Sequence, residues 1–564
     1  MQLLRRPPAA LAAAALLIGA ALRAFHLLEG RSLYIDEARL ALNIGSRSLA
    51  GLLHPLEYEQ TAPIPFLFAE KLATLLGGMN EVALRFVPFV AGAAALFLLY
   101  RLATRILPEP AAALATALGA VSPALVQYSN EAKPYSIDAL IGVLLILLGL
   151  ELLAAPEDLA KWKRYFVAAS VAVLVSTPGV IVVGGVTAGL LSSRAVRRHE
   201  PLRMKLIGGS VLWLAISAAI YLAFYRAVSS LPYMQSFWRP AFLTPHEGAL
   251  LTRAGRMAGD VFWGTFMGGP YFHTTTRETF PLVILMTSGL AAVALAGAIY
   301  VGRKAGWSAL AVLIGPVPVL IAAAAAGVYP ITLRLVQFCL PALVVLIAGG
   351  AALAAQSAPP RRKAILMAMM AAALLIRPAV RVAVPALHTY QWQELRPLVR
   401  HYESEGRDEP VYVFANAAPA WLFYTTNWEH PDRARLQWYA EAASEGGPAF
   451  ENAPPRRAPV SGEGAELVYT AGPRKELLGI STGDQWRVLV GSKKGRPDYG
   501  WAENESRRIA EAASPHIWLV FSHYRGSENE LFDRVEEYGM FQDFAEPARG
   551  AHLFRYSKIK SGIE

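Results

Sequence analysis

The sequence predicts a polytopic α-helical membrane protein of about 11 transmembrane helices with a C-terminal soluble α/β domain. Three observations predict it. Charged residues fill only 17% of the 564 positions, where soluble domains carry about 25%, and the mean hydropathy is +0.34. Apolar runs near the length needed to cross a bilayer, about 20 residues, recur up to residue 384. From residue 385 onward charge and Trp become frequent, and apolar stretches shorten to strand and helix length.

The spans are expected near 9–28, 81–100, 111–127, 135–155, 165–177, 178–193, 206–228, 280–301, 307–326, 332–355 and 362–384. The first, with Arg5 and Arg6 before it, resembles a signal peptide. Its core is longer than about 7–15 residues, and Arg23, Phe25 and His26 stand where small residues would mark a cut, so it reads as a retained helix. The fifth and sixth are short and broken by Thr177-Pro178-Gly179, a turn signal. Basic clusters follow the second, fourth, sixth, eighth and tenth spans: Arg101 and Arg105, Lys161 to Arg164, Arg194 to Lys205, Arg303 and Lys304, and Arg361 to Lys363. All fall on the side of Arg5 and Arg6. The positive-inside rule then makes this a multi-pass protein of the inner (plasma) membrane, with its N-terminus cytoplasmic and, after an odd number of spans, its C-terminal domain extracytoplasmic. The domains expected are 1–384, the membrane part, and 385–564, the extracytoplasmic α/β part. The net charge of +10 belongs to the cytoplasmic loops and is no signal for nucleic acid. The single cysteine, Cys339, excludes a disulfide within the chain.

Three outer segments stand out. In 29–80, the stretches 38–53 and 64–76 show helical spacing and predict interfacial helices. The second, 128–134, is short. The third, 229–279, is rich in Pro, Gly, His and aromatics and reads as a long loop. In the C-terminal part, strands are expected at 411–415, 467–470, 486–490, 517–521 and 552–556, alternating with helices at 391–403, 418–424, 503–513 and 528–538. It holds no Gly-rich phosphate loop, zinc-ligand spacing or nucleophile elbow.

The chemistry is concentrated at the outer boundary. Asp36 and Glu37 follow the first apolar run by eight residues. A carboxylate there reaches water and lipid headgroups together, and beside a low-dielectric wall it can take a proton from an attacking hydroxyl. Adjacent residues seldom face one way, so one acid, Asp36, is favoured as the base and Glu37 as a substrate contact; a solvated loop is the bland alternative. Glu131, Lys133 and Asp138 gather where the fourth span begins. Lys133 would hold a phosphate as a point charge, while Asp138 equally suits a helix start. Arg334 and Arg377 lie at the outer ends of spans ten and eleven and suit a lipid phosphate; snorkelling is their alternative. Arg85 reads as an interfacial charge. Glu57 and Glu59 read as solvated acids, with substrate contact as the alternative. His246 and His273, 27 residues apart, are weak evidence for a metal.

The runs Leu33-Tyr34-Ile35-Asp36-Glu37-Ala38, Glu59-Gln60-Thr61-Ala62-Pro63-Ile64-Pro65, Leu84-Arg85-Phe86 and Tyr128-Ser129-Asn130-Glu131-Ala132-Lys133-Pro134-Tyr135 resemble the N-terminal half of GT-C glycosyltransferases. The branch is that of the protein O-mannosyltransferases, the aminoarabinose transferases and the Rgt-type enzymes. The resemblance covers roughly residues 30–160. It implies a catalytic Asp in the first outer loop, here Asp36, a sugar donor carried on a polyprenyl phosphate, and an extracytoplasmic active site. Many relatives have His-Pro-Pro where this chain has Thr61-Ala62-Pro63, so that His contact is not implied. Some GT-C enzymes bind a divalent metal near the first-loop acid; no metal ligand and no cofactor can be assigned from this sequence.

The function expected is inverting transfer of a sugar from a polyprenyl-phosphate donor to an acceptor hydroxyl of a lipid, protein or polysaccharide. Asp36 is the general base, and Lys133, Arg334 and Arg377 neutralise the departing phosphate. The rival is a flippase for lipid-linked sugars, which would show internal repeats and charged, broken helices at the midplane. A sensor or scaffold whose outer domain binds glycan is a third reading.

Overall fold

A computed structural model of the chain describes residues 7–244, 249–268, 280–356, 358–384, 393–431, 436, 456–459, 466–469, 478–482, 485–491, 500–523 and 529–558. It divides into two compact units. One joins Met1–Glu29 to Thr61–Tyr390; the other joins Gly30–Gln60 to Gln391–Glu564. The first outer segment is therefore shared: its first half, with Asp36, packs with the C-terminal residues.

In chain order the helices are α1 (Pro7–Leu28), α2 (Ile35–Ser46), α3 (Ile64–Gly77), α4 (Glu81–Ile106), α5 (Glu109–Val121), α6 (Pro123–Gln127), α7 (Tyr135–Ala154), α8 (Leu159–Val175), α9 (Gly179–Ser192), α10 (Arg194–Arg198) and α11 (Glu200–Ile220). A π turn, Tyr221–Tyr225, carries α11 into α12 (Arg226–Ser229). After α13 (Pro232–Trp238) and α14 (Leu250–Phe266) come α15 (Phe280–Lys304), α16 (Trp307–Ile314), α17 (Pro316–Ala325), α18 (Leu340–Gln356) and α19 (Pro360–Ala383).

Among the described residues, seven helices are long and apolar enough to cross a bilayer, and two bent pairs raise the number to nine. The pairs are α5 with the segment opened by Pro123, bent by 53°, and α16 with α17, bent by 44° at Pro316. Proline removes a backbone donor and breaks the ladder at both places. The two spans beyond nine are the fifth and sixth of the sequence, which fold as α8 and α9, of 17 and 14 residues. Ser176, just past α8, donates to Asp138 in the first turn of α7 at 2.6 Å. The end of α8 therefore lies level with the start of α7, and its roughly 25 Å of length runs back along that span.

Close approach holds this unit together. A Cβ on Gly185 would run into the backbone of Gly315 and Pro316, and one on Gly297 into Leu346 O. Small residues at such crossings let helix backbones meet in lipid. Arg23, 1% exposed in α1, donates through its two terminal nitrogens to the carbonyls of Gly19, Gly119 and Ala120. Arg85 is buried in α4, not interfacial as its position suggested, as are Glu70 on α3 and Glu81 one turn earlier. A charge so placed must be compensated inside the protein.

The second unit carries α20 (Leu395–Glu405), α21 (Ala418–Thr425), α22 (Trp501–Ala512) and α23 (Asn529–Glu537) with an eight-stranded sheet. Its strands are β1 (Val411–Val413), β2 (Arg456–Pro459), β3 (Glu466–Tyr469), β4 (Leu478–Thr482), β5 (Gln485–Val490), β6 (His516–Ser522), β7 (Met540–Ala548) and β8 (Ala551–Lys558), in the order β2-β3-β4-β5-β1-β6-β8-β7. Central β1 is parallel to β5 and β6, and the other pairings are antiparallel. Its run Val411-Tyr412-Val413 is wholly buried, as a strand covered on both faces must be. Helix α20 buries Leu395, Leu398, Val399 and Tyr402, one face at helical spacing. Tyr412 Oη donates to Glu505 at 2.6 Å, and Arg508 donates to the same carboxylate at 2.7 Å, so the buried acid of this core is held by two partners.

Candidate active site

Asp36 and Glu37 lie in the first turn of α2, where the free N–H groups and the helix dipole favour acids. The structure separates their roles. Glu37 is fully buried; its Oε2 accepts from Tyr34 N–H at 3.3 Å and lies 3.6 Å from Arg31. It closes a capping box with its own helix. Asp36 is half-buried, the acid of the pair that keeps solvent access.

Residues 37–44 of α2 are all buried. Arg39 pairs with Glu59 at 3.4 Å and Arg47 with Glu57 at 3.1 Å. The two acids read as solvated therefore brace the helix. Asn43 donates to Arg39 O and Glu57 O and accepts from Glu57 N–H at 2.9 Å. The chain turns after it through Tyr58 and Glu59, both in the left-handed region at φ 57° and 59°. Such conformations cost about 1–3 kcal/mol each and persist only where neighbours enforce them. Asn43→Ala is expected to destabilise the protein by about 1–3 kcal/mol, since Glu57 N–H and C=O lose their buried partner. Thermal unfolding in detergent checks it, and an unchanged Tm would refute the bracing role.

In the membrane unit, 128–134 forms a short 3₁₀ turn and a bend between α6 and α7, buried throughout. Glu131 accepts from Gln127 Nε2 at 2.7 Å. Lys133 is 5% exposed and Asp138 3%, the latter bonded to Ser176. Ser136 Oγ donates to Pro88 O and Tyr128 O, which ties the bend to α4.

The third outer segment is more ordered than a plain loop, for α13 and α14 occupy much of it. With residues 331–334 they enclose a cavity of about 660 Å³ lined by Arg239, Arg253, Arg256 and Arg334, with Trp238 and Asp260 among the other walls. Arg334, half-buried, stacks on Trp238 at 4.9 Å. Arg253 is buried and donates to Phe242 O and Thr244 O, and Asp260 accepts from Leu333 N–H. Arg239 and Arg256 are exposed. Four guanidinium groups and one carboxylate thus line this cavity. Arg377 stacks on Trp263 of α14 at 5.2 Å and does not line this cavity. Arg253, Arg256 and Asp260 were missed in the sequence; their i, i+3, i+7 spacing on one helix face is the signal that marks them. His246 and His273 lie outside the described residues.

A divalent metal near the first-loop acid needs a set of hard donors. Among the described residues no three His, Cys, Asp or Glu side chains come together to hold one, and Glu37 is already engaged by Arg31 and the Tyr34 N–H. The described residues do not fit that group.

With a bundle of membrane helices, an acid opening the first helix after span one and a C-terminal α/β domain, the chain has a GT-C-like fold. A sequence model of the dolichyl-phosphate-mannose-protein mannosyltransferase family matches residues 60–222. Among solved structures, the oligosaccharyltransferase AglB from Archaeoglobus fulgidus, in complex with an inhibitory peptide and a dolichol-phosphate, aligns over 99% of this chain and 75% of its own, at 14% identity and a TM-score of 0.50. An apo Archaeoglobus fulgidus oligosaccharyltransferase aligns over 73% of this chain, with 13% identity and a TM-score of 0.46; the chain spans 63% of its length. ArnT from Cupriavidus metallidurans, bound to undecaprenyl phosphate, aligns over 98% of both chains, with 14% identity and a TM-score of 0.41. No curated protein matches the sequence. Of the stretch 30–160 in which the resemblance was read, the family model covers residues 60–160, and the fold agrees with it.

Proposed function

We propose that this protein is a membrane glycosyltransferase that moves a sugar from a polyprenyl-phosphate donor to an acceptor hydroxyl on the extracytoplasmic face, with inversion. The observation that carries the reading is the separation of the two acids on α2: Glu37 is engaged inside the protein, and Asp36 stays accessible. Asp36 takes the proton of the acceptor hydroxyl as its oxygen attacks the anomeric carbon. The bond from that carbon to the phosphate oxygen breaks on the opposite face, and the phosphate leaves as a stable anion, so no general acid is required. The arginine cavity suits that anion by charge and by bidentate geometry. Lys133 and Arg377 are further cations for it, and Glu131 and Asp138 are further polar groups of the same unit. The family model over residues 60–222 and the dolichol-phosphate held by AglB support a lipid-linked donor.

Mass spectrometry of surface glycans with and without the gene identifies sugar and acceptor together. Accumulation of a donor trapped on the inner leaflet would instead indicate a flippase.

The same reading sets the topology. Counting α8 and α9 as spans or leaving both out changes the number by two, so the C-terminal domain stays opposite to the N-terminus either way. In a Cys339→Ala background, Asp533→Cys on exposed α23 is expected to react with a membrane-impermeant maleimide in intact cells, and Arg197→Cys only after lysis. The reverse pattern would overturn the orientation.

A further inference from the structure

A helix start leaves its first N–H groups without partners in the helix. On the way into α2, side chains take the N–H groups of residues 32–35. Ser32 N–H and Oγ donate to Glu394, Leu33 N–H to Tyr424 Oη at 2.7 Å, Tyr34 N–H to Glu37, and Ile35 N–H to Gln393 Oε1 at 2.9 Å. Arg396 adds bonds to Ser32 Oγ and Gly30 O. All of these partners except Glu37 come from 391–564, more than 350 residues further along the chain.

Gln393 differs from the rest because it relays. It is 2% exposed. An N–H can only donate, so Oε1 faces Ile35 and Nε2 faces the other way, toward His523 Nδ1 at 2.8 Å. That ring nitrogen must accept, which puts the imidazole proton on Nε2. His523 follows β6 in the left-handed region at φ 59°, and its N–H donates to Gly550 O in the turn between β7 and β8. A non-glycine residue held there costs about 1–3 kcal/mol and gathers at functional sites. Satisfying a helix start explains an acceptor for Ile35. It does not explain a strained residue that fixes the acceptor's other end.

We propose that Gln393, with His523 behind it, is a positioning pair that fixes the start of α2 and so the Asp36 carboxylate one residue on. The C-terminal domain would then serve the reaction by orienting its base. This rests on the reading of Asp36 as that base.

The test uses the full-length protein in detergent with a labelled polyprenyl-phosphate sugar. Gln393→Leu removes both bonds. His523→Gly keeps the backbone conformation without a ring, and His523→Asn, which tolerates the left-handed region, keeps an acceptor. Gln393→Leu and His523→Gly are expected to lower kcat about tenfold to a hundredfold, with donor KM changed by less than about twofold. His523→Asn is expected to recover most of the rate. Hydrogen exchange at the amides of 33–37 should quicken about tenfold or more in Gln393→Leu. Wild-type turnover in both Gln393→Leu and His523→Gly overturns the proposal, even where exchange quickens. If Gln393→Leu does not fold, the two His523 variants decide. An Asp36→Asn enzyme that still turns over would sink the base; the positioning pair is judged separately, by the kcat of the Gln393 and His523 variants.

Discussion

Asp36→Asn is expected to lower kcat for sugar transfer by about 10²–10⁴-fold while the protein still folds and enters the membrane. Asparagine has the shape of aspartate and is also a good residue for a helix start, so α2 keeps its geometry. It gives up a favourable charge near the helix N-terminus, worth about 0.3–1 kcal/mol, and the ability to take a proton. Asn43, Arg39 and Arg47 anchor the body of α2, and Glu37, Gln393, Glu394 and Tyr424 hold its start. A collapse of kcat without a fall in Tm would isolate the chemical step. The measurement is transfer from labelled polyprenyl-phosphate sugar at matched expression, and near wild-type turnover would remove Asp36 as the base.

Much of this was legible in the sequence because membrane insertion and helix amphipathicity write themselves in composition. Nine of the predicted spans became spans or bent spans, and the weakest two became the shortest helices, α8 and α9. Strands β1, β3, β5, β6 and β8 stood out as apolar runs. Strand β7 did not: its sequence Met-Phe-Gln-Asp-Phe-Ala-Glu-Pro-Ala lies at the sheet edge, mostly exposed and with a proline, so it carries no buried-strand pattern. The two acids of α2 were visible by their place after the first span, but their unequal burial was not, because it depends on Arg31 and on the turn of the helix. The hold on α2 by Gln393, Glu394 and Tyr424 was illegible for a simpler reason. It joins residues more than 350 apart, and neither local spacing nor composition records a long-range hydrogen bond. The arginine cavity falls between: its helix spacing was present in 253–260, hidden inside a segment whose prolines and glycines read as a loop.

Arg239→Ala combined with Arg256→Ala is expected to raise the donor KM about tenfold to a hundredfold, with a smaller effect on kcat. Both side chains are exposed on the cavity wall, so their loss leaves the packing of α13 and α14 in place. Arg253 would be a poor choice, since it is buried and holds the carbonyls of Phe242 and Thr244; its removal would mix folding with binding. A hydrogen bond to a charged group is worth about 1.5–3 kcal/mol, and each 1.4 kcal/mol is about tenfold in affinity. Two exposed guanidinium groups, partly screened by salt, reach the stated range. Screening also supplies the control. The wild-type KM should climb with ionic strength, and the double variant should climb less, because it has fewer cations to screen. Were the cavity only a structural gap between α13 and α14, both KM and its salt dependence would stay as in the wild type. A kcat that fell with KM unchanged would instead mean that these arginines act on the departing phosphate in the transition state and contribute nothing to holding the donor beforehand.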